Sequence, residues 1–405
     1  MDSSIYRLRN SDILALCVLG LLSLGVVMVQ SAAVNVATAT ADGWSWAGAG
    51  TKQLVFALAA AGVFFLVGGV DYSRLCKPAK NWRRSPMVWA LAIAVACNLL
   101  VLVPHVGKTI NGARRWLPLG PLQFEPSELA KWGVVLFLAY FLTRRPLDLD
   151  RFWKGFVPMI LPVALLAGLV IIQDFGTATL IGLCALAMLL AGRVRMRHLL
   201  MVVPLALAAG VFLLTHTEYR WRRVTAFLDP YAAPQKEGYH MIQSLLSFAT
   251  GGVTGRGLGN GIQKLGYLPE DTTDFIFSVI CEELGFFGAL LTVALYLGII
   301  YVTWQAIRQK RHDFARMLAF GIGGMVTLQA AINIAVATVS VPTKGLSLPL
   351  VSSGGSGLII TAAGLGLLLS ISREEAELLL ADFTPEVSSD PHSTLPPLPP
   401  GAVLQ

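Results

Sequence analysis

The sequence predicts an all-α polytopic membrane protein of about ten transmembrane helices, with a large extracytoplasmic loop between spans 7 and 8. Three observations carry this expectation. Of 405 residues, 55% are hydrophobic and only 14% are charged, whereas soluble domains hold about 45–50% apolar and about 25% charged residues. The apolar residues fall in long, nearly charge-free blocks, each close to the roughly 20 residues that a bilayer span needs. Lys and Arg then alternate between dense and sparse segments, as they do across a membrane. This composition excludes a soluble enzyme, a disordered tail protein and a disulfide scaffold.

The expected spans, in order, are Ile13–Ala33, Leu54–Val70, Met87–Val103, Glu128–Leu142, Phe156–Ile172, Phe175–Ala191, Leu199–Thr215, Leu284–Trp304, Met317–Val341 and Gly357–Ser372. The first is too long for the h-region of a signal peptide, about 7–15 residues, and no small-residue cleavage site follows it. The fourth is the weakest, because Lys131 lies inside its first turn. With the N-terminus inside, the inner segments hold 19 of the 31 basic residues and the outer segments 11, with Lys131 in a span. Ten spans put both termini in the cytoplasm. The net charge of +7 is then a membrane-orientation signal and needs no nucleic acid to explain it. Cys17, Cys76, Cys97, Cys184 and Cys281 are scattered without metal or disulfide spacing.

Residues 1–373 form the membrane domain on this reading. Residues 374–405 form a Pro-rich cytoplasmic tail expected to be disordered. Two outer segments break the pattern of short loops, His105–Ser127 and His216–Glu283. Long loops are commonly functional. The second includes amphipathic pieces such as His240–Phe248, expected on or in the membrane surface.

Four segments carry residues that chemistry could use. YLPEDTTDF places Glu270, Asp271 and Asp274 together at the end of the large outer loop. A partly desolvated carboxylate there has a raised pKa and makes a better general base; a solvated turn with Asp and Thr as helix caps competes with that reading. NGARRWLPLGPLQFEPSELAK offers Arg114 and Arg115 for a diphosphate. Trp116 could anchor at the interface or stack on a sugar, and Glu125 is a nearby acid. Pro126 and Ser127 open a helix that carries Lys131 about one turn into the membrane. A charge there is a functional hypothesis by default, against a side chain that snorkels outward. GGVTGRGLGNG lacks the context of a dinucleotide fold. Its glycines allow tight turns or close backbone approach of a ligand, and Arg256 adds a cation. VPTKGLSLPLVSSGGSG reads either as an irregular segment lining a cavity or as an ordinary loop. Gln329 and Asn333 read as partners of neighbouring helices, and Asp174 as a helix cap. No metal motif and no Walker motif occur.

Several of these motifs, taken in order, closely resemble the SEDS family (shape, elongation, division and sporulation). They are NGARRWLPLGPLQFEPSELAK, QDFGTA, FLDPYAAPQKEGYHMIQSLLSFATGGVTGRGLG, QKLGYLPEDTTDFIFSVICEELG and KGLSLPLVSSGGSG. The resemblance spans about Asp12 to Arg373, and the FLDP to YLPE run looks more like the FtsW division branch than the RodA elongation branch. It implies a peptidoglycan glycosyltransferase in the bacterial cytoplasmic membrane that polymerises lipid II on the outer face. It also implies a class B penicillin-binding protein and other divisome membrane proteins as partners, and a place at the division septum. By motif, Asp274 is the catalytic carboxylate, and Trp116 and Lys131 are tied to activity. Thr272 stands where the family commonly has His. The last motif differs from the family pattern at Lys344, Ser347, Leu350, Ser353 and Gly357.

The chemistry agrees with this implication. Lipid II is an α-linked diphosphate and the glycan is β-1,4-linked, so one inversion needs one base. Asp274 suits that role. The leaving diphosphate needs positive charge, for which Arg114, Arg115, Lys131 and Arg256 are candidates. A divalent cation, Mg or Mn, could share this work, though the sequence names no ligands for it. Two other readings stay open: a lipid II flippase, and a scaffold that activates the penicillin-binding protein.

Overall fold

Helices form where the apolar blocks predict them. The computed structural model describes residues 9–33, 48–76, 83, 85–110, 113–119, 122–144, 148–309 and 312–383. In chain order the helices are α1 (Asn10–Ala32), α2 (Ala49–Gly68), the single turn α3 (Ser73–Cys76), α4 (Pro86–Leu102), α5 (Pro126–Arg144), α6 (Val157–Gln173), α7 (Phe175–Ala191) and α8 (Met196–Thr215). Then come α9 (Glu218–Leu228), α10 (Tyr239–Gly251), α11 (Ile276–Gln309), α12 (Asp313–Ala337) and α13 (Gly355–Phe383). Seven helices among the described residues are long and apolar enough to cross a membrane: α1, α2, α6 with the turn before it, α8, α11, α12 and α13. The other three expected spans fall on the shorter apolar α4 and α7 and on α5.

Local chemistry sets several boundaries. Ser85 caps α4 by accepting from the Met87 amide, with Pro86 in the first turn. Asp174 alone separates α6 from α7, and its carboxylate accepts from the Gly176 amide at 2.8 Å. Such caps satisfy amides that the helix leaves without partners.

The least apolar of the ten, α5, lies against α4, α7 and α12 and is buried along most of its length. Its neighbours are protein rather than lipid, so it can carry Glu128 and Lys131 as a paired set. In contrast, α8 buries only His198 and Leu199, and its Leu200, Leu205 and Leu207 are exposed on the protein surface, where a bilayer would cover them.

Four features depart from the sequence expectation. The segment between α4 and α5 forms a small antiparallel sheet, β1 (Lys108–Ile110), β2 (Ala113–Leu119) and β3 (Leu122–Phe124), in that order. Trp116 pairs with Lys108 and Leu117 with Phe124; β-branched and aromatic residues suit such a half-buried surface. Second, the amphipathic piece is a full helix, α10, that packs its Met241, Ser244 and Ser247 inward, chiefly against α11, and leaves Leu245 and Leu246 exposed. Third, α11 starts at Ile276, well before the expected Leu284, and kinks at Gly285, where φ is 66°. Its first part, 276–284, buries Glu282 and Glu283 completely; their charge makes this stretch read as loop. Fourth, α13 continues past Arg373 to Phe383 through Glu- and Leu-rich sequence of high helix propensity. The remaining tail, 384–405, lies outside the described residues.

After α12 the chain runs through an irregular segment, 338–354, that burial holds in place. Leu346, Leu348, Leu350 and Val351 are buried. Tyr296 on α11 donates to the Pro349 carbonyl at 2.5 Å, and a Cβ on Gly25 of α1 would lie 2.6 Å from the Val351 oxygen. Irregular backbone at such depth survives only where protein encloses it or a cavity opens beside it. Both conditions hold here.

Candidate active site

The irregular segment and the YLPEDTTDF loop meet over the start of α11. The Ser353 amide donates to the Thr272 carbonyl at 2.8 Å, and the Ser352 hydroxyl to the Thr273 carbonyl at 2.6 Å. Asn333 on α12 donates to the Asp274 carbonyl at 2.8 Å and to the Leu346 carbonyl at 2.7 Å. Gln329, one turn earlier, donates to the Ser347 carbonyl at 2.8 Å. Asp274 is thus fixed from three sides at the N-terminal end of α11. A Cβ on Gly345 would lie 3.0 Å from its Oδ2, so glycine leaves the carboxylate its room.

Asp274 faces a cavity of about 300 Å³. Glu270 and Phe275 adjoin it from the same loop, and Thr343, Lys344 and Gly345 from the irregular segment. Tyr219 and Arg223 on α9, with Lys236, Glu237 and His240, complete the lining. Burial raises the Asp274 pKa to about 7, and the Glu270 and Asp174 carboxylates push the same way against the weaker pull of Arg115 and Arg223. A carboxyl poised there can take a proton from a hydroxyl at neutral pH. Burial lowers the Lys344 pKa, opposed by Asp174. Its ammonium stands 5.2 Å from the Phe175 ring centroid. His240 stacks on Phe275 with centroids 5.9 Å apart, and burial holds its pKa low.

The other expected site residues divide by position. Glu270 lines the cavity and accepts from the Thr273 hydroxyl at 2.8 Å. Asp271 is half-buried with its pKa raised to about 6, mainly by burial, and does not line the cavity. Arg115 donates to the Gln173 carbonyl at 2.8 Å and stands 3.7 Å from Asp174; its charge lowers the Asp274 pKa. Arg114 donates to the Leu102 carbonyl at 3.3 Å. Trp116 is half-buried in β2. Glu125 accepts from the Ser127 hydroxyl at 2.8 Å, and burial with the Glu128 charge raises its pKa.

Lys131 does not snorkel. It is 1% exposed, and its ammonium lies 2.7 Å from Glu128 and 2.7 Å from Gln329. Asp174 serves as the expected cap and also pairs with Arg115. Arg256 is exposed, on a glycine loop that approaches the kink in α11 rather than the cavity. The Arg256 and Gly257 amides donate to the carbonyls of Glu282 and Glu283, both at 3.0 Å. A Cβ on Gly255 would lie 2.2 Å from the Glu283 oxygen, so this approach requires glycine.

Sequence reasoning missed Tyr219, Arg223, Lys236, Glu237, His240 and Gly345 in the cavity wall. Their segments are far apart in the chain, and only the fold gathers them. Among the described residues no three His, Cys, Asp or Glu side chains gather into a group able to hold a metal.

This geometry defines a polytopic membrane protein with one poised carboxylate in a cation-bearing cavity beside its helix bundle. The family model for cell cycle proteins of the FtsW, RodA and SpoVE group matches residues 12–377, and the chain belongs to that family. A probable peptidoglycan glycosyltransferase FtsW from Halorhodospira halophila is 41% identical over 369 residues, covering 90% of each chain. One of the same name from Geobacter sulfurreducens is 38% identical over 368 residues, 90% of this chain and 95% of its own. Among solved structures, a chain from work on polymerization and crosslinking by a peptidoglycan synthase complex is similar with TM-score 0.69 and 33% identity. It covers 89% of this chain and 97% of that one. Thermus thermophilus rod shape determining protein RodA is similar with TM-score 0.62 and 30% identity, covering 89% of this chain and 96% of its own.

Proposed function

We propose that this chain is a peptidoglycan glycosyltransferase that polymerises lipid II into glycan strands, with Asp274 as its general base. The observation that carries the reading is the Asp274 carboxyl, poised near neutrality in a cavity that also presents Arg223, Lys236 and Lys344. Two of the relatives named above are called probable peptidoglycan glycosyltransferase FtsW, which supports the activity and a role in septal synthesis during division.

In the reaction, Asp274 takes the proton from the acceptor 4-hydroxyl as its oxygen attacks the donor anomeric carbon. The bond from that carbon to the diphosphate breaks, and undecaprenyl diphosphate leaves with the electron pair. One displacement turns the α-linked donor into a β-1,4 product. General-base assistance of this kind is worth about 10²–10⁴-fold. The cavity cations stabilise the departing diphosphate, where charge grows in the transition state. Arg115 acts at longer range by keeping Asp274 ionisable. Lys131 fixes α5 to α12 and reaches the irregular segment through Gln329.

The cavity faces the outer side of the cytoplasmic membrane, and a class B penicillin-binding protein crosslinks the product. The test is reconstitution with lipid II, with and without that partner, with Asp274→Ala alongside and products resolved on a glycan gel. Polymer from the wild type and none from Asp274→Ala is expected. Equal polymer from both removes Asp274 as the base.

A further inference from the structure

The glycine-rich loop and the two buried glutamates of α11 take no part in the chemistry above, yet they form a densely bonded polar cluster. Glu283 is 0% and Lys264 2% exposed. The Lys264 ammonium lies 2.7 Å from Glu283 Oε1 and donates to the Ser31 hydroxyl and the Gly259 carbonyl, each at 2.8 Å. The Ser31 hydroxyl also stands 2.7 Å from Glu283 Oε2, and the Gly259 amide donates to the same oxygen at 3.0 Å. Next to it, Glu282 accepts from the Ile262 amide at 2.8 Å and the Gln263 amide at 3.2 Å.

Three separate parts of the chain meet here: the end of α1, the glycine loop and α11 just before its kink. The same buried stretch of α11, 276–284, carries these glutamates at one end and follows directly from Asp274 at the other. The loop between Lys264 and Asp274 closes on itself through Leu268 N–H to the Gln263 carbonyl at 2.8 Å and Phe275 N–H to the Glu270 carbonyl at 3.1 Å. Its first end is pinned by the cluster, and its second runs into the helix. A buried ion pair adds little stability over well-packed apolar side chains. What it adds is a fixed geometry, because each donor and acceptor has one place.

We propose that Lys264, Glu283 and Ser31 are positioning residues: they lock the base of the loop that carries Asp274 onto α11 and tie it to the outer end of α1. The lock rests on the reading of Asp274 as the base. Misplacing a reacting group by about 1 Å costs about 10²-fold in rate, so a lock of this kind acts on turnover rather than on substrate affinity.

The test uses the full chain in liposomes with its partner and lipid II. Lys264→Met alone strands the Glu283 charge and can unfold the region. Lys264→Met/Glu283→Gln removes both charges at nearly constant volume, and the amide can still bond Ser31 and Gly259. This double variant is expected to insert and melt close to wild type, with kcat down about 10–100-fold and KM for lipid II within about twofold. Ser31→Ala, which keeps the ion pair and loses the tether to α1, is expected to lower kcat less, with KM again unchanged. A folded double variant with wild-type kcat overturns the lock, as does a loss confined to KM. If the double variant does not fold, wild-type kcat in Ser31→Ala overturns it. Asp274→Asn is run in parallel. Activity in that variant refutes the base and the lock together, whereas its inactivity beside a fully active double variant refutes the lock alone.

Discussion

Replacing Asp274 by Asn should abolish polymerisation and at the same time stabilise the protein above neutral pH. Burial raises the pKa of this carboxyl from its ordinary 3.8 to about 7. Between those values the folded protein holds a proton that the unfolded chain releases, so stability falls as pH rises through the window. At about 1.36 kcal/mol for each pH unit between the two values, about 4 kcal/mol is an upper bound. Asn keeps the shape without the charge. The variant should therefore match wild type in acid, gain on it as pH rises from about 4 to 7, and hold a constant lead above 7. Thermal melting in detergent at a series of pH values measures the gap. In the same window the wild-type rate should rise with pH as the base ionises. An Asn variant no more stable at pH 8 than wild type, or a gap that shrinks with rising pH, would refute the burial argument.

Three further outcomes follow from the geometry. Gly345→Ala puts a methyl 3.0 Å from Asp274 Oδ2, so the carboxylate must shift by a few tenths of an ångström; kcat should fall about 10-fold or more while the melting temperature stays near wild type, read by lipid II turnover and melting together. Arg115→Gln removes a charge that lowers the Asp274 pKa, so the acid limb of the pH–rate profile should move to higher pH. Lys131→Met leaves Glu128 buried without its ammonium and should cost about 3–5 kcal/mol, seen as a lower melting temperature, with Lys131→Met/Glu128→Gln recovering much of the loss.

Much of the fold is legible in the sequence because span length and charge placement obey strong constraints in a membrane. What escaped was charge that the protein neutralises internally. Glu282 and Glu283 made the start of α11 read as loop, since a sequence shows two carboxylates but not the amides and ammonium that satisfy them. Lys131 marked α5 as a weak span for the same reason, although α5 sits at the centre of the bundle. For the site, Asp274 stood out through its motif and its place at a loop–span boundary. The cations opposite it did not. Arg223, Lys236 and Lys344 lie on three segments that only the packing of α9, α10 and the irregular segment brings to one cavity. Arg114 and Arg256 looked equivalent to them in sequence, yet one bonds the end of α4 and the other rides a loop over the α11 kink.

The arrangement of partners separates charges that build this protein from charges that act. Lys131 and Lys264 each have a carboxylate at 2.7 Å, plus a neutral acceptor at 2.7 Å and 2.8 Å respectively. Lys264 also donates to the Gly259 carbonyl at 2.8 Å, which uses the last of its three donors, and Lys131 touches both Glu128 oxygens, at 2.7 Å each. Asp274 is built the other way. Its backbone carbonyl is bonded, but among the described residues its carboxylate has no ion-pair partner in contact, and Arg115 and Arg223 reach it only at longer range. A tightly paired aspartate would stay ionised far below neutral pH and be too weak a base for a sugar hydroxyl. A fully isolated one would stay protonated. Burial with distant cations holds Asp274 between these limits.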